Sequence, residues 1–153
     1  MAAVKPRVYL DTTVPSAYLD ARSPDRQRLT AHFWNFRLPE FVPMISTIVL
    51  SEIRDTPDID KRGKIEKLVE EFDVVEFDVR ADDLAQRYVQ NGIFPDKYES
   101  DARHVAVAVV NGIAYFASWN FRHLVKVKTR REINSVNALQ GYGPIEIVAP
   151  PEL

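Results

Sequence analysis

Short apolar runs alternate with longer stretches whose apolar residues recur every three or four positions, and the alternation spans nearly the whole chain. The first run, Val8-Tyr9-Leu10, reads as a strand that stops abruptly on Asp11. Val14–Asp20 follows as a short helix with Thr13 as its expected N-cap, because a threonine hydroxyl can accept from the first free amides of a helix. In "DRQRLTAHFWNF", Asp25–Phe36, the residues Leu29, Phe33 and Phe36 stand at helical spacing. "FVPMIS" is the second strand, and Pro43, which has no amide hydrogen, points to an edge or an irregularity there. Thr47–Arg54, "TIVLSEIR", begins a helix and Asp60–Phe72 makes another; "VVEF" is the third strand. Ala81–Asn91 reads as a helix halted at Asn91-Gly92, and a helix capped by Ser100 runs to the same signal at Asn111-Gly112. "AYFAS" is the fourth strand, residues 131–140 form a helix ending at Gly141, and "IEIV" is the fifth strand.

Strands separated by one or two helices predict an α/β fold with a mostly parallel sheet covered on both faces. Ligands of such folds lie beyond the carboxyl ends of the strands. Asp11 stands at that edge. Glu52, in the second turn after strand two, sits above the same edge. Asp101, in the first turn of the helix before strand four, opens there too, and Asn120 follows strand four directly in "FASWNF". Each has a simpler reading by itself: a turn acid, a solvent-facing acid, a partner of a helix dipole, a turn residue. Together, three carboxylates at one rim repel, and burial raises their pKa values. A hard divalent cation removes that penalty, and Mg²⁺ or Mn²⁺ takes oxygen ligands of this kind. The chemistry that uses such an ion is phosphodiester hydrolysis, in which the metal acidifies water and neutralises charge on phosphate. Asn120 suits a fourth position that is neutral or holds a water. Thr12, Thr13 and Ser118 are the hydroxyls expected to orient these groups.

Composition narrows the class. The 153 residues fit a single domain, 1–153, and 46% hydrophobic with 27% charged residues is ordinary for a soluble globular protein. No apolar run approaches the roughly 20 residues that span a bilayer. The opening "MAAVKPRVYLD" enters a strand without the apolar core of a signal peptide, so the expected location is cytoplasmic. Without cysteine there are no disulfides, thiolate metal sites or cysteine nucleophiles. The net charge of −2 exerts no global pull on nucleic acid, but its distribution is uneven. Residues 66–83 carry eight acids, whereas 122–131 carry Arg122, Lys126, Lys128, Arg130 and Arg131 without an acid. Arg122, Lys126, Lys128 and Arg130 are therefore candidates for a basic patch that contacts phosphates; the plainer reading is solvated surface.

The segments "YLDTTVPSAYLD", "STIVLSEI", "DARHVAVAVVNGIAYFASWNFRHL" and "VNALQGYGPIEIVAPPEL", in this order, resemble PIN-domain nucleases, in particular the toxins of VapBC-type toxin–antitoxin systems. The resemblance implies a three-layer α/β/α sandwich around a five-stranded sheet of order 3-2-1-4-5. It further implies an Mg²⁺- or Mn²⁺-dependent endoribonuclease that leaves a 5′-phosphate and a 3′-hydroxyl. Asp11, Glu52 and Asp101 match the family's three acids, and Asn120 a fourth position where many relatives carry Asp. Ser100 stands where similar sequences often have another acid. Expected partners are an RNA substrate, a small inhibitory antitoxin and a second copy of the chain. His104, one turn after Asp101, is expected to orient a neighbour or pack under the site, and His123 to lie in the "SWNFRHL" loop without a direct catalytic role. Trp119 and Phe121 either stack on bases or anchor that loop. The competing reading is a PIN-fold RNA- or protein-binding module with little turnover, motivated by Asn120 and Ser100. Receiver and haloacid-dehalogenase readings want a further acid where Thr12 and Thr13 stand.

Overall fold

The computed structural model describes residues 4–153, so the first three residues of the N-terminal stretch lie outside it. Five strands form one parallel sheet: β1 (Arg7–Leu10), β2 (Val42–Ser46), β3 (Asp73–Val75), β4 (Tyr115–Ala117) and β5 (Glu146–Val148). Their order is β3-β2-β1-β4-β5, as expected, with β1 central. Successive side chains of a strand point to opposite faces. Val8, Tyr9 and Leu10 are nonetheless all fully buried, so both faces of β1 are covered. The covering helices are α1 (Thr13–Tyr18), α2 (Pro24–His32), α3 (Thr47–Arg54), α4 (Ile59–Val69), α5 (Val79–Gln90), α6 (Glu99–Val110) and α7 (Val127–Leu139). This is the three-layer arrangement expected for the fold, and among the described residues no helix is long and apolar enough to cross a membrane.

Local chemistry sets most boundaries. Ser46, Asp58 and Asp78 cap α3, α4 and α5 by accepting from the amides of Ile48, Lys61 and Ala81 at 3.1, 3.1 and 3.0 Å. Helices α5 and α6 end at Gly92 and Gly112 with φ of +74° and +70°, a conformation that side chains with a Cβ rarely adopt.

Four expectations shift. Pro43 lies on an interior strand, so of the two expected readings the edge falls and the irregularity stays. Because Val42 donates to Pro6 on the β1 side at 2.8 Å, the missing amide of Pro43 faces the β3 side, where pairing begins only at Met44. Helix α2 stops at His32, and a π turn follows over Phe33–Arg37. That wider turn breaks the expected apolar stripe: Phe33 enters the core, Phe36 stays exposed, and Trp34 packs against Tyr18 and Phe72. Ser100 is not a cap, since α6 already starts at Glu99 and Tyr98 precedes it. Thr13 is the first residue of α1; the side chain that accepts its amide is Asp11.

Candidate active site

Strand register brings the polar residues together. Leu10 pairs with Ala117, so the next residues, Asp11 and Ser118, emerge side by side at the carboxyl edge. Asp11 is 3% exposed and receives three hydrogen bonds. The Thr13 amide and hydroxyl donate to Oδ1, and the Ser118 hydroxyl donates to Oδ2 at 2.6 Å. The direction of the hydroxyls follows from their other partners. Trp119 N–H donates to Thr13 Oγ1 and Asn120 N–H to Ser118 Oγ, each at 2.9 Å, so each hydroxyl hydrogen is free to turn to Asp11. A carboxylate has about four acceptor positions, which leaves Asp11 roughly one for a ligand. Burial pushes the Asp11 pKa up, and the His104 imidazole and these donors pull it back.

Asp101 and Asn120 meet next to it. Asn120 Nδ2 donates to Asp101 Oδ2 at 3.1 Å, while Asn120 Oδ1 accepts from His123 N–H at 2.9 Å. A backbone amide can only donate, so this second bond fixes the orientation of the Asn120 amide. Its nitrogen, not its oxygen, therefore faces Asp101. Held this way, Asn120 orients Asp101 and ties the following loop to it. The Asp101 carboxyl is raised to about 6, first by burial, then by the charge of Asp11, with Glu52 adding to it. Asp101 thus feels the charge of both other acids.

Glu52 is held differently. Its Oε1 pairs with Nε2 of His104, which is itself only 3% exposed. On the other side of the ring, Nδ1 meets Tyr9 OH at 2.7 Å, and Tyr9 OH meets Ser46 Oγ at 2.7 Å. One proton arrangement uses every donor: Ile48 N–H to Ser46, Ser46 to Tyr9, Tyr9 to His104 Nδ1, and His104 Nε2–H to Glu52. Residues of β1, β2 and α6 therefore aim Glu52 through a buried relay. Tyr9 and Ser46 were not among the expected site residues. The available signal was a tyrosine within a fully buried aliphatic strand, whose hydroxyl must find a partner.

The remaining candidates separate. Thr12 Oγ1 is buried with no hydrogen-bond partner among the described residues, so Thr12 orients neither Asp11 nor Ser118. Trp119 anchors the loop: it is 7% exposed, and its indole N–H donates to Thr30 Oγ1 at 2.9 Å. Phe121 stays half exposed. Of the basic residues, Arg122 and Lys126 are exposed near His123, whose pKa burial lowers first and these two cations lower further. Lys128 lies 4.0 Å from Glu132, and Arg130 donates to Ile147 O at 3.1 Å, which makes Arg130 a clasp for β5. An open groove of about 440 Å³ runs beside Glu52, lined also by Thr47, Ser51, Phe77, Ser100 and Arg103.

Whether this set fits a metal has two answers. The donors are oxygens, the aspartates have no bonded Lys or Arg, and Asp101 is already pushed towards protonation, as suits a hard divalent ion. Among the described residues, however, no three His, Asp or Glu side chains are gathered as they stand into a metal-binding cluster. The acids form a shared electrostatic site but not a closed cage, because Glu52 is turned to His104.

No family profile and no curated protein matches the chain significantly. Solved structures do. VapBC2 from Rickettsia felis, bound to a DNA fragment from the promoter, matches over 92% of this chain and 98% of its own, with a TM-score of 0.53 and 13% identity. The chain has a PIN-type fold. DNA-bound VapBC from Salmonella typhimurium gives the same picture: TM-score 0.53, 15% identity, 93% of this chain and 98% of that one. The PIN fold accounts for the sheet order and for the rim on which Asp11, Asp101 and Asn120 converge.

Proposed function

We propose that the protein is a metal-dependent endoribonuclease that works as the toxin of a toxin–antitoxin pair. The observation that carries the reading is the gathering of Asp11, Asp101 and Glu52 at the carboxyl edge, where burial first, and then the charges of Asp11 and Glu52, raise the Asp101 pKa to about 6. Asp11, Asp101 and Glu52 would hold Mg²⁺ or Mn²⁺. When bound, the ion would supply acidified water and charge neutralisation at the phosphodiester. The chain's own contribution is orientation. Thr13 and Ser118 fix Asp11 and oppose the effect of burial on its charge, Asn120 fixes Asp101, and the Ser46–Tyr9–His104 relay sets the direction of Glu52. Arg122 and Lys126 would contact the RNA backbone. In this reading the protein acts in the cytoplasm as a homodimer, and a small antitoxin holds it inactive. Both similar structures described above are VapBC complexes, which supports the choice of partner.

A second reading, a PIN-fold RNA- or protein-binding module with weak or no turnover, is favoured by the open arrangement of the acids. One assay separates the two. Incubated with an RNA pool and Mn²⁺, the protein should cleave, while the EDTA control and the Asp11→Asn variant should not. Cleavage by Asp11→Asn at the unaltered rate overturns the site assignment, and no cleavage by the unaltered protein favours the binding module.

A further inference from the structure

Beside the carboxylate rim lies an aromatic and basic cluster that the proposed chemistry does not use. Tyr98 directly precedes α6 and stands three residues before Asp101; His123 stands three residues after Asn120. The two chain segments meet twice. Asn120 bonds Asp101, and the ring of His123 lies against that of Tyr98 with centroids 3.7 Å apart and planes 32° from parallel. The side-chain carbonyl of Asn120 also holds the His123 amide, so the ring pair is fixed relative to the acids. Lys97 Nζ sits over the Tyr98 ring, 5.1 Å from its centroid. Burial, then Arg122, Lys126 and Lys97, depress the His123 pKa, which favours an uncharged, flat imidazole at neutral pH; every charge in that set is a cation. Lys97, Arg122 and Lys126 are all exposed, whereas Tyr98 and His123 are half-buried and so held in place.

Packed aromatic rings flanked by cations are a surface that single-stranded nucleic acid uses: bases have π faces whatever their identity, and phosphates seek the cations. An acidic peptide would match the cations and leave the ring pair without a role. We infer that Tyr98 and His123 form a stacking platform for a base of single-stranded RNA next to the cleaved phosphate, with Lys97, Arg122 and Lys126 gripping the flanking phosphates. This deepens the nuclease reading by naming where the strand leaves the acids, and it rests on that reading for the identity of the ligand. Stacking that tolerates every base predicts weak sequence preference at this nucleotide.

The test uses the full chain and a short fluorescent single-stranded RNA of mixed sequence, first in EDTA for binding and then in Mn²⁺ for cleavage. Tyr98→Ala and His123→Ala should each weaken binding roughly tenfold, the order expected for a lost stack. His123→Ala keeps the backbone amide that Asn120 holds, so the acids stay in place. In cleavage, KM should rise by the same factor with kcat within about twofold. Tyr98→Phe should restore binding, since it keeps the ring. Lys97→Gln should reduce the slope of log Kd against log salt by about 0.7, the value for one phosphate contact on a single strand. Unchanged binding and KM in Tyr98→Ala and His123→Ala, with cleavage intact, overturns the platform alone. If the variants lose RNA binding while the unaltered protein cleaves nothing, the platform stands and the nuclease reading fails. If the unaltered protein binds no RNA, the platform is wrong.

Discussion

Replacing Asp101 by asparagine should make the metal-free protein more stable at neutral pH, although it removes a residue of the candidate site. The folded pKa of Asp101 is about 6 against an ordinary 3.8. Burial and the neighbouring acids thus oppose ionisation. A difference of that size corresponds to about 3 kcal/mol. Asp101 is half-buried, and solvent screening at its open side reduces the effect to roughly 1–2 kcal/mol. The sign follows from linkage. A carboxyl whose folded pKa is raised holds its proton more tightly when folded, so its contribution is fully present below about pH 4 and is lost as pH rises through about 6. The amide introduced by Asp101→Asn would be neutral throughout, and its oxygen could still accept the Asn120 hydrogen bond. In thermal melts in EDTA, Asp101→Asn and the unaltered protein should therefore coincide near about pH 4. By about pH 7.5 the variant should melt higher by roughly 2–8 °C. Mn²⁺ should raise the melting temperature of the unaltered protein at neutral pH and leave the variant nearly unmoved. A variant that is less stable at neutral pH, or a difference that does not change with pH, refutes the reasoning.

Two further substitutions probe how the acids are held. Tyr9→Phe removes the hydroxyl between Ser46 and His104 and should destabilise the fold by about 1–3 kcal/mol, because two buried polar groups lose a partner. It should also weaken Mn²⁺ binding about tenfold through the misdirected Glu52; denaturant melts and Mn²⁺ titration read the two effects separately. Ser118→Ala deletes the donor on Asp11 Oδ2, so the Asp11 pKa should rise further and the acid limb of the pH–rate profile should move up by about one pH unit. An unmoved acid limb would detach Ser118 from the chemistry.

The parts of the site that lie on strand ends were legible in the sequence, because an apolar run that stops on a polar residue marks both the strand and its rim. Asp11 and Ser118 show this, and parallel pairing of β1 with β4 then makes them neighbours. The helix stops at Gly92 and Gly112 were legible for a similar reason, a glycine whose conformation few other residues take. Tertiary choices were not legible. Nothing local reveals that Phe33 begins a π turn, and the helical spacing of Leu29, Phe33 and Phe36 describes a face that this turn dissolves. Nor does the type of a side chain reveal its partner. Asn120 could have offered either end of its amide, and only the His123 amide decides which one faces Asp101. Tyr98 and His123 are far apart in the chain and carry no shared motif, so their stacking emerges only in three dimensions.

The most direct test of the account is calorimetric titration of Mn²⁺ into the metal-free protein at about pH 7.5, repeated with Asp11→Asn and Glu52→Gln. Saturable binding by the unaltered protein, and loss of at least about tenfold in affinity in both variants, is the predicted result. Absence of saturable binding, or equal binding by all three proteins, would show that these carboxylates do not share an ion.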